Sequence, residues 1–170
     1  MTKRFRGHLR ADGFSLVELL IATAIVVSVV TAASGAWQLY LRLSNQAAGM
    51  TQASLLAEEG VEAMNLLRDQ GWAANIAPLS LDTPYYLYYS TSTYSYGFSA
   101  SPVIIPGGYT RTVTLYAVNR DPTTYDITST STSCSSCDAG TRDALVSVYE
   151  GSSTVPVMED ETLIHNVFNN

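Results

Sequence analysis

Three textures follow one another along the chain. Residues 14–43 are apolar at nearly every position, residues 44–71 carry apolar side chains at intervals of three and four, and beyond Trp72 apolar and polar residues alternate. Positions 19–41, without a single charge, would reach about 34 Å as a helix, enough to cross the hydrocarbon core of a bilayer with some tilt. In the second stretch Ala53, Leu56, Ala57, Gly60, Val61, Met64 and Leu67 form one stripe, opposed by Gln52, Glu59, Glu62 and Asn65. That pattern predicts a continued helix packed on one face only. Glu58 and Glu62 repel one another and Glu62 is out of step with Arg68, so packing rather than surface ion pairs must hold it. Arg68 near the end of the pattern and Gly71 just past it place the terminus at Asp69 or Gln70.

The remainder, residues 72–170, reads as strands punctuated by proline and glycine. In Tyr109–Val118 the residues Val113, Leu115 and Ala117 fall on one side, and Thr112, Thr114 and Tyr116 on the other. Ala144–Tyr149 and Thr162–Phe168 follow the same rule more weakly. The predicted class is therefore α+β: a long N-terminal helix, membrane-spanning in its first half and amphipathic in its second, packed on a C-terminal antiparallel β-sheet head.

Charge sharpens the first of these elements. Lys3, Arg4, Arg6 and Arg10 precede the apolar run and the next basic residue is Arg42, a distribution that predicts a single pass with the amino end in the cytosol and the head outside it. The full chain has a net charge of −6. Residues 1–13 hold four of the nine basic and one of the fifteen acidic residues, so residues 14–170 stand at −9. An acidic head, with Arg111 and Arg120 too few to make a cationic patch, argues against nucleic acid as a partner.

Glu18 is the residue that this picture must explain. A carboxylate just inside a membrane helix costs about 2 to 3 kcal/mol at a helix centre and less near the interface. Three simpler readings of the amino end leave it idle. A secretory signal could be cut after Ala33-Ser34-Gly35, but the apolar run continues past that point. A plain signal anchor accounts for the length alone, and a buried soluble helix would need protein on every side of Leu19–Val30.

The stretch Gly13-Phe14-Ser15-Leu16-Val17-Glu18-Leu19-Leu20, behind its basic leader, resembles the class III signal of type IV pilins and of type II secretion pseudopilins. The resemblance implies removal of residues 1–13 by a prepilin peptidase, which cuts after Gly13 and N-methylates the new terminus, Phe14. It also implies Glu18 as the assembly residue, in the fifth place of the mature chain, where it would pair with the Phe14 amine of an adjacent subunit. Implied partners are other pilin or pseudopilin subunits, an inner-membrane assembly platform and, before assembly, membrane lipid. Leu55–Glu62 and Arg68–Trp72 look like the helix-to-head junction of minor pilins and pseudopilins, although an ordinary amphipathic helix reads alike. Many major pilins carry proline where this chain has Gly35, and glycine weakens a helix by about 1 kcal/mol against about 3 for proline. The departure favours a minor subunit. Gly35 and Gly49 could serve bending or close helix approach.

Other chemistry in the head is sparse. Tyr85, Tyr86, Tyr88, Tyr89, Tyr94 and Tyr96 fall within twelve residues. They read either as a hairpin whose alternate rings pack on the helix or the sheet edge, or as a contact surface for carbohydrate or protein. Cys134 and Cys137 lie in a Ser/Thr-rich loop with too few neighbouring ligands for zinc and no helix start to activate a thiol. A short-loop disulfide remains for a chain outside the cytosol. His165 in a strand and the hydrated run Glu159-Asp160-Glu161 offer no catalytic constellation, and no cofactor is expected. Calcium at that run with Asp143 or Glu150 would lack a recognised ligand spacing. Two function classes remain: a structural filament subunit, or an adhesion or substrate-binding module displayed on such a filament through its Tyr-rich head; a simple signal-anchored surface protein is the further alternative.

Overall fold

A computed structural model describes residues 15–134 and 137–168 of the protein. The leader, Gly13 and Phe14 lie outside the described residues. The chain divides into two compact units, Met1–Gln46 and Ala47–Asn170.

Helix α1 (Leu16–Gln70) carries the described part of the first unit from Leu16 onward and continues into the second. It starts where Ser15 offers its carbonyl to the Leu19 N–H at 3.1 Å, and runs through both Gly35 and Gly49. Its first half is long and apolar enough to cross a membrane, a test of length and composition that a signal sequence also meets. None of that apolar surface is covered: Val17, Ile21, Ile25 and Val29 are all more than half exposed. Its few hydroxyls do not interrupt it, because Thr23, Ser28, Thr31 and Ser34 donate to carbonyls three or four residues back, at 2.8–2.9 Å. Back-bonding of this kind satisfies a hydroxyl where water is absent. Trp37 and Tyr40 stand 5.9 Å apart toward the end of the apolar run, the residue types that favour a membrane–water interface.

Within the second unit, α1 buries Ala53, Ala57, Gly60, Ala63, Met64 and Leu67, in agreement with the expected stripe, while Leu56 and Val61 at its margins are half-buried. The helix ends at Gln70, as its residues predict, with Gly71 at φ 151°. A short helix, α2 (Trp72–Asn75), follows and buries Trp72. The sheet comprises β1 (Pro84–Ser90), β2 (Ser95–Ser99), β3 (Ile104–Ile105), β4 (Tyr109–Arg120), β5 (Ile127–Ser131), β6 (Cys137–Glu150) and β7 (Met158–His165). The strands run in the order β2-β1-β4-β6-β7, with β3 and β5 also paired to β4, and every pairing is antiparallel.

One face of the sheet packs on the helix. Val113 and Leu115 of β4, Ala144 and Val146 of β6, Ile164 of β7 and Leu87 of β1 join Ala63, Met64, Leu67, Trp72 and Ile76 in a single core. A smaller cluster of Ala53, Ala57, Tyr109 and Val148 extends it. Gly60 sets the approach of helix to sheet, for a Cβ there would lie 2.6 Å from Val146 Cγ1 and 3.0 Å from Arg111 Cδ.

Two expectations require correction. Glu159-Asp160-Glu161 reads as a hydrated run, yet it lies within β7, which spans 158–165 rather than 162–168. Its alternation hides the strand: Asp160 pairs with Val146 and is half-buried, while Glu159 and Glu161 are exposed on the other face. Glu59, assigned by spacing to the water side of α1, is half-buried against the sheet. Polar partners there, described below, draw it inward.

Candidate functional site

The sequence-predicted residues fall into separate places. Glu18 sits in the first turn of α1, where the unsatisfied N–H groups of a helix start favour an anion. It is exposed, and among the described residues no cation pairs with it. Arg42 is the next described basic residue, roughly seven turns further along the helix. Among the described residues, the charge therefore lies uncompensated at the start of an uncovered apolar surface.

The tyrosine tract forms the β1–β2 hairpin, and its rings divide between the two faces. Toward the helix, Tyr85 meets Phe98 edge-on at 6.1 Å and Tyr89 meets Tyr96 at 5.2 Å; the Tyr85 hydroxyl accepts from the Ser80 N–H at 3.0 Å. Tyr86 and Tyr88 point to the opposite face, Tyr88 lying over Gly97. Tyr94 stands at the tip with φ 52° and is 81% exposed. Only Tyr89, at 48%, and Tyr94 of the six are exposed, so the tract does not make one continuous aromatic surface.

Sequence reasoning missed a polar clasp beneath this hairpin. Arg111, 2% exposed, shares the inward row of β4 with Val113 and Leu115. Its Nη1 donates to the Leu56 carbonyl at 2.8 Å and its Nη2 to Glu59 Oε1 at 3.3 Å, an oxygen that also accepts from the Tyr96 hydroxyl at 2.9 Å. Burial raises the pKa of Tyr96, and the hydrogen bond to Glu59 adds to the effect. Arg111 Nε has no partner among the described residues, since it packs over Gly60. A cavity of about 470 Å³ opens beside the clasp between Leu56, Tyr88, Tyr89 and Ile104–Pro106. The signal was available: Arg111 is in phase with Val113, Leu115 and Ala117.

At the other end of the sheet a disulfide joins Cys134 and Cys137, at the start of β6. Next to it Asp138 accepts from Thr141 Oγ1 at 2.6 Å, from Arg120 Nε at 2.7 Å and from the Gly140 N–H at 2.9 Å. These bonds, that of Thr141 foremost, hold its carboxyl below the usual range against the opposing effect of burial. Thr141 Oγ1 also lies 2.9 Å from His165 Nδ1. With its proton committed to Asp138, the hydroxyl accepts from an Nδ1–H tautomer. Because Thr141 is buried and bonded in this sense, it is a corner brace and not an activated nucleophile.

On the face of the sheet away from the helix, Asp143 is 2% exposed. It lies opposite Tyr116 and Leu163, diagonal to Glu161. Glu150 is remote from this group, at the far end of β6. Among the described residues no cluster of three or more His, Cys, Asp or Glu side chains is placed to hold a metal ion.

Fold and site together define an α+β protein with an uncovered apolar N-terminal helix. In comparison with known proteins, the chain matches no family model, no curated protein and no solved structure.

Proposed function

We propose that the chain is a structural subunit, a minor pilin or pseudopilin, of a type IV pilus or type II secretion-like filament. The observation that carries this reading is the apolar surface from Leu16 to Leu43, exposed on all sides, with Glu18 in the first turn of the same helix. A surface of that kind needs lipid or other helices around it. A carboxylate kept at its entrance has a use only if a cation reaches it. The Phe14 amine, freed when prepilin peptidase cuts after Gly13, is that cation when it comes from an adjacent subunit. In low dielectric the pair offsets much of the desolvation cost that a lone charge bears.

On this reading the precursor waits in the cytoplasmic membrane with its amino end inside and its head outside. The assembly platform then withdraws it into the filament. Mass spectrometry of the native protein should find N-methylated Phe14 as its first residue; a chain starting at Ala36, or retaining Met1, sinks the proposal. Glu18→Ala should be processed normally yet fail to enter filaments, read as loss of crosslinks to other pilin-like chains.

Display of an adhesive head is the second reading. It rests on fewer residues, because of the six tyrosines of the tract only Tyr89 and Tyr94 are exposed.

A further inference from the structure

Asp143 poses a problem that the filament reading does not touch. It is almost wholly buried, and its Oδ1 has no hydrogen-bond partner among the described residues. It lines a cavity of about 280 Å³ with Glu161, Tyr116, Leu145 and the hydroxyl residues Thr130–Thr132. A buried carboxylate with an unpaired oxygen beside a second carboxylate is strongly disfavoured, whereas a carboxyl that keeps its proton can donate it to its neighbour.

Among the described residues, the surroundings hold no compensating cation. From β4 the facing group is Tyr116, whose own pKa is raised by burial and by Asp82, Asp143, Glu159 and Glu161. From β7 come Glu161 and Glu159, the latter accepting from Ser147 Oγ at 3.0 Å, and further along His165, which is engaged with Thr141. The β5 strand and the residue after it bring only Thr130, Ser131 and Thr132. Arg120 is taken by Asp138, and Arg142 by the carbonyls of Asp138, Ala139 and Thr141.

We infer that Asp143 and Glu161 share one proton across the β6–β7 pair, and that this proton latches the final strand to the sheet, making the head sensitive to pH around neutrality. Burial, then the hydrogen bond to Glu161 and its negative charge, push Asp143 up to about 7. The sign follows from the raised value. The folded head holds a proton that the unfolded chain has released above its ordinary carboxylate range, so stability is complete in acid and is lost as pH climbs toward 7. Above that, the pair gives its proton to solvent and two anions face each other.

The test is unfolding of the full chain in detergent micelles between pH 5 and 8. One extra bound proton predicts a folding equilibrium constant that falls about tenfold per pH unit from 5 to 6.5 and levels off above 7.5. Asp143→Asn, which keeps the shape and donates an N–H to Glu161, should remove that slope. If this variant does not accumulate, 13C titration of the wild-type carboxyls replaces it, with one aspartate midpoint near neutrality that moves down in Glu161→Gln. A wild type with no slope, a slope that survives in Asp143→Asn, or no aspartate titrating above pH 5.5 overturns the inference.

Discussion

The two halves of α1 obey the same backbone rules and opposite solvent rules. In the first half Val26 is 60% exposed, as are its neighbours around the helix, and in the second Ala57 is 2% exposed. The side chains differ accordingly. The first half is built of large aliphatics with no preferred face, and the second narrows to Ala, Gly, Met and Leu along one stripe that the sheet covers. The helix in the second unit is held by packing within its own chain. The apolar run before it has nothing to pack against among the described residues of its own unit.

The sharpest way to break this contrast is to place a charge in the first half. Val26→Asp should cost about 2.5 to 3.5 kcal/mol of insertion free energy if the segment is solvated by lipid, seen as a shift of the chain out of the membrane fraction. Denaturant unfolding of the head in detergent should meanwhile stay within about 0.5 kcal/mol of wild type. Undiminished insertion would mean that the apolar half is not lipid-solvated.

Next in size is the reverse experiment. Gly60→Ala adds one methyl group where Val146 Cγ1 would stand 2.6 Å away, with both residues buried in the helix–sheet seam. Alanine improves helix propensity by about 1 kcal/mol, but overpacking a tight seam costs about 1 to 3, so the head should lose about 1 kcal/mol net. Membrane insertion should not change. Gly35→Ala, with nothing within 4 Å of its would-be Cβ, is the matched control and should leave head stability as it is.

The contrast also explains what could be read from sequence. Periodicity located both halves of α1 and the buried row of β4, and Arg68 with Gly71 placed the helix end at Asp69 or Gln70, because each is a local property of contiguous residues. It missed Glu59 and Asp143, whose burial depends on strands distant in sequence. Asp143 is enclosed by Tyr116 and Glu161, brought beside it by the β4–β6 and β6–β7 pairings. The strand order and the short β3 and β5 edges are non-local for the same reason. Arg111 is a different failure. Its place in the inward row followed from the alternation, but a guanidinium among core residues is discounted unless its partners are already known.

A loss no larger than that of Gly60→Ala tests those partners. Tyr96→Phe removes the hydroxyl that donates to Glu59 Oε1 while keeping the ring against Tyr89. A hydrogen bond to a charged acceptor is worth about 1.5 to 3 kcal/mol, but the Glu59 side chain is 41% exposed and water can replace the lost donor. About 1 kcal/mol of head stability is the expected loss at neutral pH, measured by chemical unfolding. The raised pKa of Tyr96 adds a second readout. The folded head keeps the phenol protonated where the unfolded chain begins to ionise, so the wild type loses stability as pH passes 10. Tyr96→Phe should lose less over that range, with Tyr116 supplying the dependence that remains. Equal alkaline losses in both proteins would show that the clasp closes through Arg111 alone.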